Sequence, residues 1–371
     1  MNNNPNLDFY GYGAPELQPN EPKRPENDRE SESEQAAHKA TAQTVEQAKT
    51  TFSRLGLGVV LLVAGWYGIV FLLRFVFREF APSLAQDTTL MMLVGTLPLY
   101  LVGLPLMYAT IRNQPRAIPQ KRPLGAWFFV VFFISMFFLV VGAITSNVLM
   151  SVLGALRGEP YVNSLDSVLG LPIPLLFFLT VICAPIFEEL ICRKLLLERA
   201  LPFGELPAIL FTSAIFGLLH GNLFQLLYAF LLGVIFSYVY LRTGKLRYSI
   251  ALHMIINFIG GVLPAIILQS LDINELAALM QDLSATGQAQ EYLTFLTENI
   301  GMIVLELYLL ALQYVGALAG LILLIVFRKR IRLEKREGEL PREHFSAMFF
   351  QVGGIVMLLI LIGITVYSLL L

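Results

Sequence analysis

Long apolar stretches recur through most of the 371-residue chain and limit what it can fold into. Most reach the 18 or so residues that a helix needs to cross a bilayer, and none alternates with a period of two. Inside lipid, such segments must be helices, because backbone polar groups need partners within the segment. We therefore predict an all-α, polytopic transmembrane bundle of about nine spans, near 56–77, 89–110, 126–150, 171–200, 205–221, 223–241, 248–268, 300–327 and 347–371.

The composition supports this fold and separates a tail from it. Hydrophobic residues make up 56% of the chain and charged residues only 14%, where a soluble domain carries about 25%. Residues 1–54 are different, because they are polar, rich in proline near the start and mixed in charge. We predict a disordered cytoplasmic tail over 1–54 and one membrane domain over 55–371. The net charge of −1 gives no indication of a nucleic-acid partner.

Lysine and arginine are distributed unevenly between the connecting loops. Loop 269–299 holds five acidic residues and no basic one, whereas loop 328–346 holds seven basic residues. Because basic loops stay in the cytoplasm, this bias predicts a cytoplasmic N-terminus and an external C-terminus. We expect an integral, multi-pass protein of a bacterial plasma membrane, with the lipid bilayer as its surroundings.

Three groups of polar residues lie inside predicted spans, where ionisable side chains are costly and are by default functional candidates. Their sequences are EELICR, FGLLH and HMIIN. Each group contains an i,i+4 pair that shares one helix face. The pairs are Glu189–Arg193, Phe216–His220 and His253–Asn257, and Glu188 precedes the first. Together they predict one inward-facing polar pocket, beside a helix kink at Pro185.

These residue types are suited to peptide hydrolysis, which needs an activated water and donors for the developing oxyanion. Glu188 beside His220 could activate the water, while His253 and Asn257 could donate to the oxyanion. The same four residues could instead bind a metal such as zinc, since two histidines and a glutamate form a known catalytic zinc set. Both interpretations stay open at this point. Cys183 and Cys192 are interpreted as free packing thiols.

The order EExxxR, FxxxH and HxxxN over successive spans resembles the CAAX prenyl-protease type 2 and bacteriocin-processing family of intramembrane proteases. The similarity covers residues 125–270. It implies that Glu188 is the catalytic base and that His220 helps to hold the water. It further implies that His253 and Asn257 are oxyanion donors or metal ligands. Glu189 and Arg193 are then supporting residues, and so is Phe216, because it belongs to the second motif.

The resemblance implies a membrane-associated peptide or protein as substrate, either a prenylated C-terminal peptide or a leader-bearing bacteriocin or pheromone precursor. The main alternative is a catalytically inactive relative that acts as an immunity or scaffold protein, because fold does not guarantee activity. A proton-coupled transporter, and histidines that only join neighbouring helices, are further alternatives. The HExxH signature of site-2-type metalloproteases is absent.

Overall fold

The computed structural model describes residues 26–119, 122–161, 163, 165–271, 273–287, 289–336 and 338–370. Throughout this part of the chain every regular element is a helix. The chain divides into two units after Gln43, a point that lies within its first helix. Apart from three short helices, Pro82–Ala85, Leu165–Leu169 and Arg342–Met348, the helices in chain order are α1 Glu26–Phe80, α2 Thr88–Ile111, α3 Trp127–Arg157, α4 Ile173–Phe203, α5 Glu205–Leu219, α6 Leu223–Thr243, α7 Leu246–Ser270, α8 Ile273–Thr286, α9 Gln290–Glu298, α10 Ile300–Phe327 and α11 Val352–Tyr367.

Seven of these helices are long and apolar enough to cross a membrane: α1, α2, α3, α4, α6, α7 and α10. An eighth crossing is formed if the short helix Arg342–Met348 and α11 count as one span, bent by 69°. The predicted all-α transmembrane bundle is confirmed, and the protein is an integral, multi-pass membrane protein. The predicted number of nine spans is too high among the described residues. Helix α5 has only 15 residues, or about 22 Å, which is shorter than the roughly 30 Å hydrocarbon core.

The N-terminal part of the chain also differs from the prediction. Residues 26–54 belong to α1, where the sequence predicted disorder and a domain boundary. In the stretch 44–55 the apolar side chains follow helical spacing, and Ala48, Phe52 and Leu55 are fully buried. This short apolar stripe lies among helix-forming alanine, glutamine and lysine residues, so overall polarity concealed it. The predicted disorder of 1–25 lies outside the described residues.

Helix α4 is irregular around the two glutamates. A π-helical segment, Phe177–Cys183, precedes them and another, Leu190–Leu197, follows them, leaving a short α-helical turn at Ala184–Glu189. Pro185 lies in this turn and has no backbone N–H, which is consistent with the predicted distortion. Helix α7 is likewise π-helical directly after Asn257, over Phe258–Val262. Such segments occur often at functional sites.

Helices α5 and α6 form a hairpin beside α4. Gly204, with a φ of +114°, turns the chain from α4 into α5, and Gly221, with a φ of +65°, turns it from α5 into α6. The Asn222 side chain then caps α6 by accepting the Gln225 N–H at 2.9 Å. The hairpin is close-packed, because a Cβ at Gly217 would lie 2.8 Å from the Leu226 carbonyl oxygen. This geometry brings the side chains of α5 and α6 against one face of α4.

Candidate active site

A buried ion pair lies at the centre of the polar pocket. Glu189 Oε2 is 3.1 Å from Arg193 Nε, and both side chains are fully excluded from solvent. This is the i,i+4 pair that the sequence predicted. Arg193 also donates through Nη2 to the Gly233 carbonyl oxygen on α6 at 3.2 Å. The ion pair therefore joins α4 to the α5–α6 hairpin and neutralises a carboxylate that would otherwise be buried as a lone charge.

His253 on α7 lies between the two adjacent glutamates. Its Nδ1 is 3.3 Å from Glu189 Oε1, and its Nε2 is 3.7 Å from Glu188 Oε2. His253 and Glu189 are buried, whereas the Glu188 side chain is 25% exposed. Glu188 Oε2 has no hydrogen-bond partner within the described residues. The Oε2 atom is itself buried, but the rest of the Glu188 side chain is partly open to solvent, unlike that of Glu189.

His220 contributes to the pocket in a different way from the one predicted. The sequence placed it beside Glu188, but the described residues show no ion pair between them, and the ion-pair partner of Glu188 is His253. His220 Nδ1 lies 2.7 Å from the Phe216 carbonyl oxygen, and its ring packs edge-on against the Phe216 ring at 5.1 Å. Phe216 also contacts the His253 ring at 5.6 Å. One aromatic side chain therefore connects the two histidines.

Asn257 lies one helical turn beyond His253 and connects α7 to α4. Its Nδ2 donates to the Thr180 carbonyl oxygen at 2.8 Å, within the first π-helical segment of α4. An amide group has two N–H donors, so this bond leaves the second for another acceptor. The structure thus brings Glu188, Glu189, Arg193, Phe216 and His253 into direct contact. His220 is connected to these side chains through Phe216, and Asn257 through its hydrogen bond to the backbone of α4.

Sequence reasoning missed two aromatic side chains at this site. Phe236 on α6 packs against the His253 ring at 5.2 Å, and Tyr100 on α2 stacks on Phe187 at 4.1 Å, next to Glu188. Both lie in apolar helices where an aromatic residue normally indicates core packing, so periodicity could not distinguish them. Only the three-dimensional arrangement places them beside the polar residues.

A second polar cluster lies near the C-terminal end of α4 and has a structural explanation. The buried Glu198 accepts from Lys194 Nζ at 2.8 Å and from the Tyr240 hydroxyl at 2.6 Å. Arg199 donates to three backbone carbonyl oxygens, two of them at the end of α2 and in the turn that follows it. These contacts fasten α4 to α6 and to the α2–α3 connection. The cluster therefore needs no catalytic explanation.

The predicted metal ligands have mixed geometry. Nowhere in the described part of the chain do three or more His, Cys, Asp or Glu side chains form a group arranged for a metal ion. In each of the two histidines, however, Nδ1 faces an oxygen atom. For His253 it is a carboxylate oxygen of Glu189, and for His220 it is the carbonyl oxygen of Phe216. Metal-bound histidines commonly use their second nitrogen in this way. Zinc binding by Glu188, His220, His253 and Asn257 remains a prediction.

Comparison with known proteins supports the interpretation of the motifs. Residues 170–259 match the family described as "Type II CAAX prenyl endopeptidase Rce1-like", a segment that contains all seven predicted site residues. The chain is also 29% identical over 167 residues to a Bacillus subtilis (strain 168) protein named "Putative membrane peptidase YdiL". That alignment covers 42% of this chain and 64% of YdiL, which is less than two thirds of its length. No solved structure matches the chain.

One description is of an endopeptidase family and the other of a "putative membrane peptidase", and both agree with the resemblance drawn from EExxxR, FxxxH and HxxxN. The predicted resemblance to the CAAX prenyl-protease type 2 and bacteriocin-processing family is therefore confirmed over this segment. The matched segment runs from just before α4 to just beyond Asn257, so it coincides with the helices that build the pocket.

Proposed function

We propose that this protein is an intramembrane endopeptidase that cleaves a membrane-associated peptide with a water molecule activated by Glu188. The observation that carries the proposal is the contrast between two adjacent glutamates on α4. Glu189 is buried and paired, whereas Glu188 is partly exposed and faces His253 Nε2. Two carboxylates in such different surroundings are suited to different tasks, one to hold the site together and one to react.

The geometry suggests how water is bound and activated. If Nδ1 of a neutral His253 donates to Glu189, Nε2 is a hydrogen-bond acceptor, and so is the Glu188 carboxylate. A water molecule beside them can donate one hydrogen to His253 Nε2 and the other to the Glu188 carboxylate, whose Oε2 lies 3.7 Å from that nitrogen. When the water oxygen attacks the peptide carbonyl carbon, Glu188 takes the proton. That proton passes to the nitrogen of the leaving amine as the C–N bond breaks.

Other groups at the site can stabilise the tetrahedral intermediate that forms when water attacks. The second Nδ2–H of Asn257 is available as a donor to the oxyanion, and hydrogen bonds of this kind contribute most when they are already oriented. The bond from Asn257 to the Thr180 carbonyl oxygen provides that orientation. His220, which lies beside Phe216 and is partly exposed, is a further candidate donor at the edge of the site.

Zinc is the alternative means of activating water at the same residues, where it would lower the pKa of a bound water molecule. Elemental analysis of the purified protein tests this directly. A zinc site of two histidines and a carboxylate predicts close to one metal ion per chain and activity that chelators abolish. Absence of metal together with chelator-resistant cleavage would support the glutamate and histidine alone.

The substrate we propose is a peptide at the membrane, either prenylated near its C-terminus or carrying a leader segment. The test uses the full-length protein in liposomes with one synthetic peptide of each class, and mass spectrometry of the products. The wild type should cleave one class, and Glu188→Gln should cleave it at least about 100-fold more slowly, as expected for loss of a general base. Glu306→Gln, which changes another partly buried glutamate on α10, should cleave normally. Equal cleavage by Glu188→Gln would overturn the assignment.

A further inference from the structure

Phe236 occupies a central place among the polar side chains, although none of the three sequence motifs includes it. Its side chain on α6 is fully buried, and its ring lies 5.2 Å from the His253 ring with an angle of only 30° between the two planes. The Arg193 guanidinium carbon lies over the same ring at 5.6 Å. Phe236 therefore contacts both the imidazole that faces Glu188 and the cation that neutralises Glu189.

Phe216 on α5 contacts the same two groups from another direction. The Arg193 guanidinium carbon is 4.7 Å from its centroid, and the His253 ring packs against it nearly perpendicularly, at 85°. One phenylalanine from each helix of the α5–α6 hairpin thus contacts both the Arg193 cation and the His253 ring. Aromatic faces favour cations, and these contacts are worth more when water is excluded, as it is here.

The polar contacts of His253 do not fix its ring by themselves. Its nitrogens lie 3.3 Å from Glu189 and 3.7 Å from Glu188, both longer than a strong charge-assisted hydrogen bond. A partial rotation about the Cβ–Cγ bond would turn Nδ1 away from Glu189 and Nε2 away from Glu188. The Phe236 ring, whose plane is 30° from that of the imidazole, opposes such a rotation, because the edge of the imidazole would then turn toward the phenyl face.

We propose that Phe236 is a positioning residue, which holds the His253 ring so that Nδ1 faces Glu189 while Nε2 faces Glu188. The effect of Phe236 on turnover rests on the proposed peptidase function, whereas its effect on the His253 ring does not. The two can therefore be tested separately on the same protein.

The structural test is nitrogen-15 NMR of histidine-labelled, full-length protein in detergent micelles. The chain has four histidines, and His253→Gln assigns the relevant signals. The wild type should show one His253 tautomer, with the proton on Nδ1. Phe236→Leu and the more volume-conserving Phe236→Met should both broaden these signals or shift them toward a mixture of tautomers, because each lacks the flat ring.

The control is Phe211→Leu, which makes the same change at another fully buried phenylalanine. Phe211 lies on α5 and packs on Phe52 and Phe349, away from His253. This variant should lose thermal stability as Phe236→Leu does, yet keep the wild-type His253 signals. Identical His253 signals in wild type, Phe236→Leu and Phe236→Met would overturn the proposal.

The kinetic test follows with whichever peptide the wild type cleaves. Phe236→Met should lower kcat by about 10- to 100-fold with little change in KM, as a misoriented catalytic group does. Phe211→Leu should retain a kcat close to that of the wild type. If the wild type cleaves neither peptide class, the peptidase proposal fails, while the NMR result still decides whether Phe236 positions His253.

Discussion

Glu188 and Glu189 are adjacent in sequence, but the fold gives them different surroundings. A helix directs consecutive side chains about 100° apart, so one glutamate pairs with Arg193 and is buried, while the other is partly exposed. Arg193 lies one turn further along and stacks above Glu189. The residue type alone could not assign these roles, because both glutamates lie in the same apolar span.

The buried pair gives a prediction about stability. Arg193→Met should lower the free energy of unfolding by about 3–5 kcal/mol, because it leaves Glu189 as a buried charge without its cation. The measurement is thermal or denaturant-induced unfolding of the purified protein in detergent. Arg78→Met, in an exposed pair with Glu79, is the matched control and should change stability little. An Arg193→Met protein as stable as the Arg78→Met protein would contradict this account of the site.

At the scale of elements, the α5–α6 hairpin depends on close helix contact. A Cβ at Gly233 would lie 3.1 Å from Ser213 Cα and 3.2 Å from a ring carbon of Phe216. Any shift there moves Phe216, and with it one contact of His253. The glycine thus links the packing of two helices to the geometry of the pocket.

Gly233→Ala should therefore reduce both stability and peptide cleavage, because α5 and α6 must separate to accept the methyl group. Gly363→Ala on α11 is the control, since a Cβ there would meet no neighbouring atom. Alanine is also the better helix former, so the control should be as stable as the wild type or more so. Thermal unfolding and cleavage assays of the two variants check the prediction. Equal effects of the two substitutions would contradict it.

The sequence predicted some of these elements and not others, for physical reasons. Long apolar runs with i,i+4 polar pairs were sufficient to predict the helices and the Glu189–Arg193 contact. Helix α5 was predicted as a span because its sequence is apolar throughout. Hydropathy does not show where the helix ends, and at 15 residues it is too short to cross the bilayer. The pairing of Glu188 with His253 rather than His220 depends on how α7 packs on α4, and spacing within one helix carries no information about that packing.

For the whole molecule, the charge bias of the loops predicts an orientation that cysteine labelling can test. Both native cysteines, Cys183 and Cys192, are free thiols and would first be replaced by alanine. Gln281→Cys on α8 should then react with a membrane-impermeant maleimide added to intact cells. Lys329→Cys, just after α10, should react only after the membrane is opened. The reverse labelling pattern would contradict the cytoplasmic N-terminus.

The central claim is that Glu188 activates a water molecule which attacks the peptide bond directly. The most direct measurement is a single turnover in water enriched in oxygen-18, with the reconstituted protein in excess over the peptide. Mass spectrometry then locates the heavy atom. The account predicts one oxygen-18 atom in the new C-terminal carboxylate of the product and none in Glu188. An unlabelled product with oxygen-18 in the Glu188 carboxylate, or no cleavage at all, would contradict it.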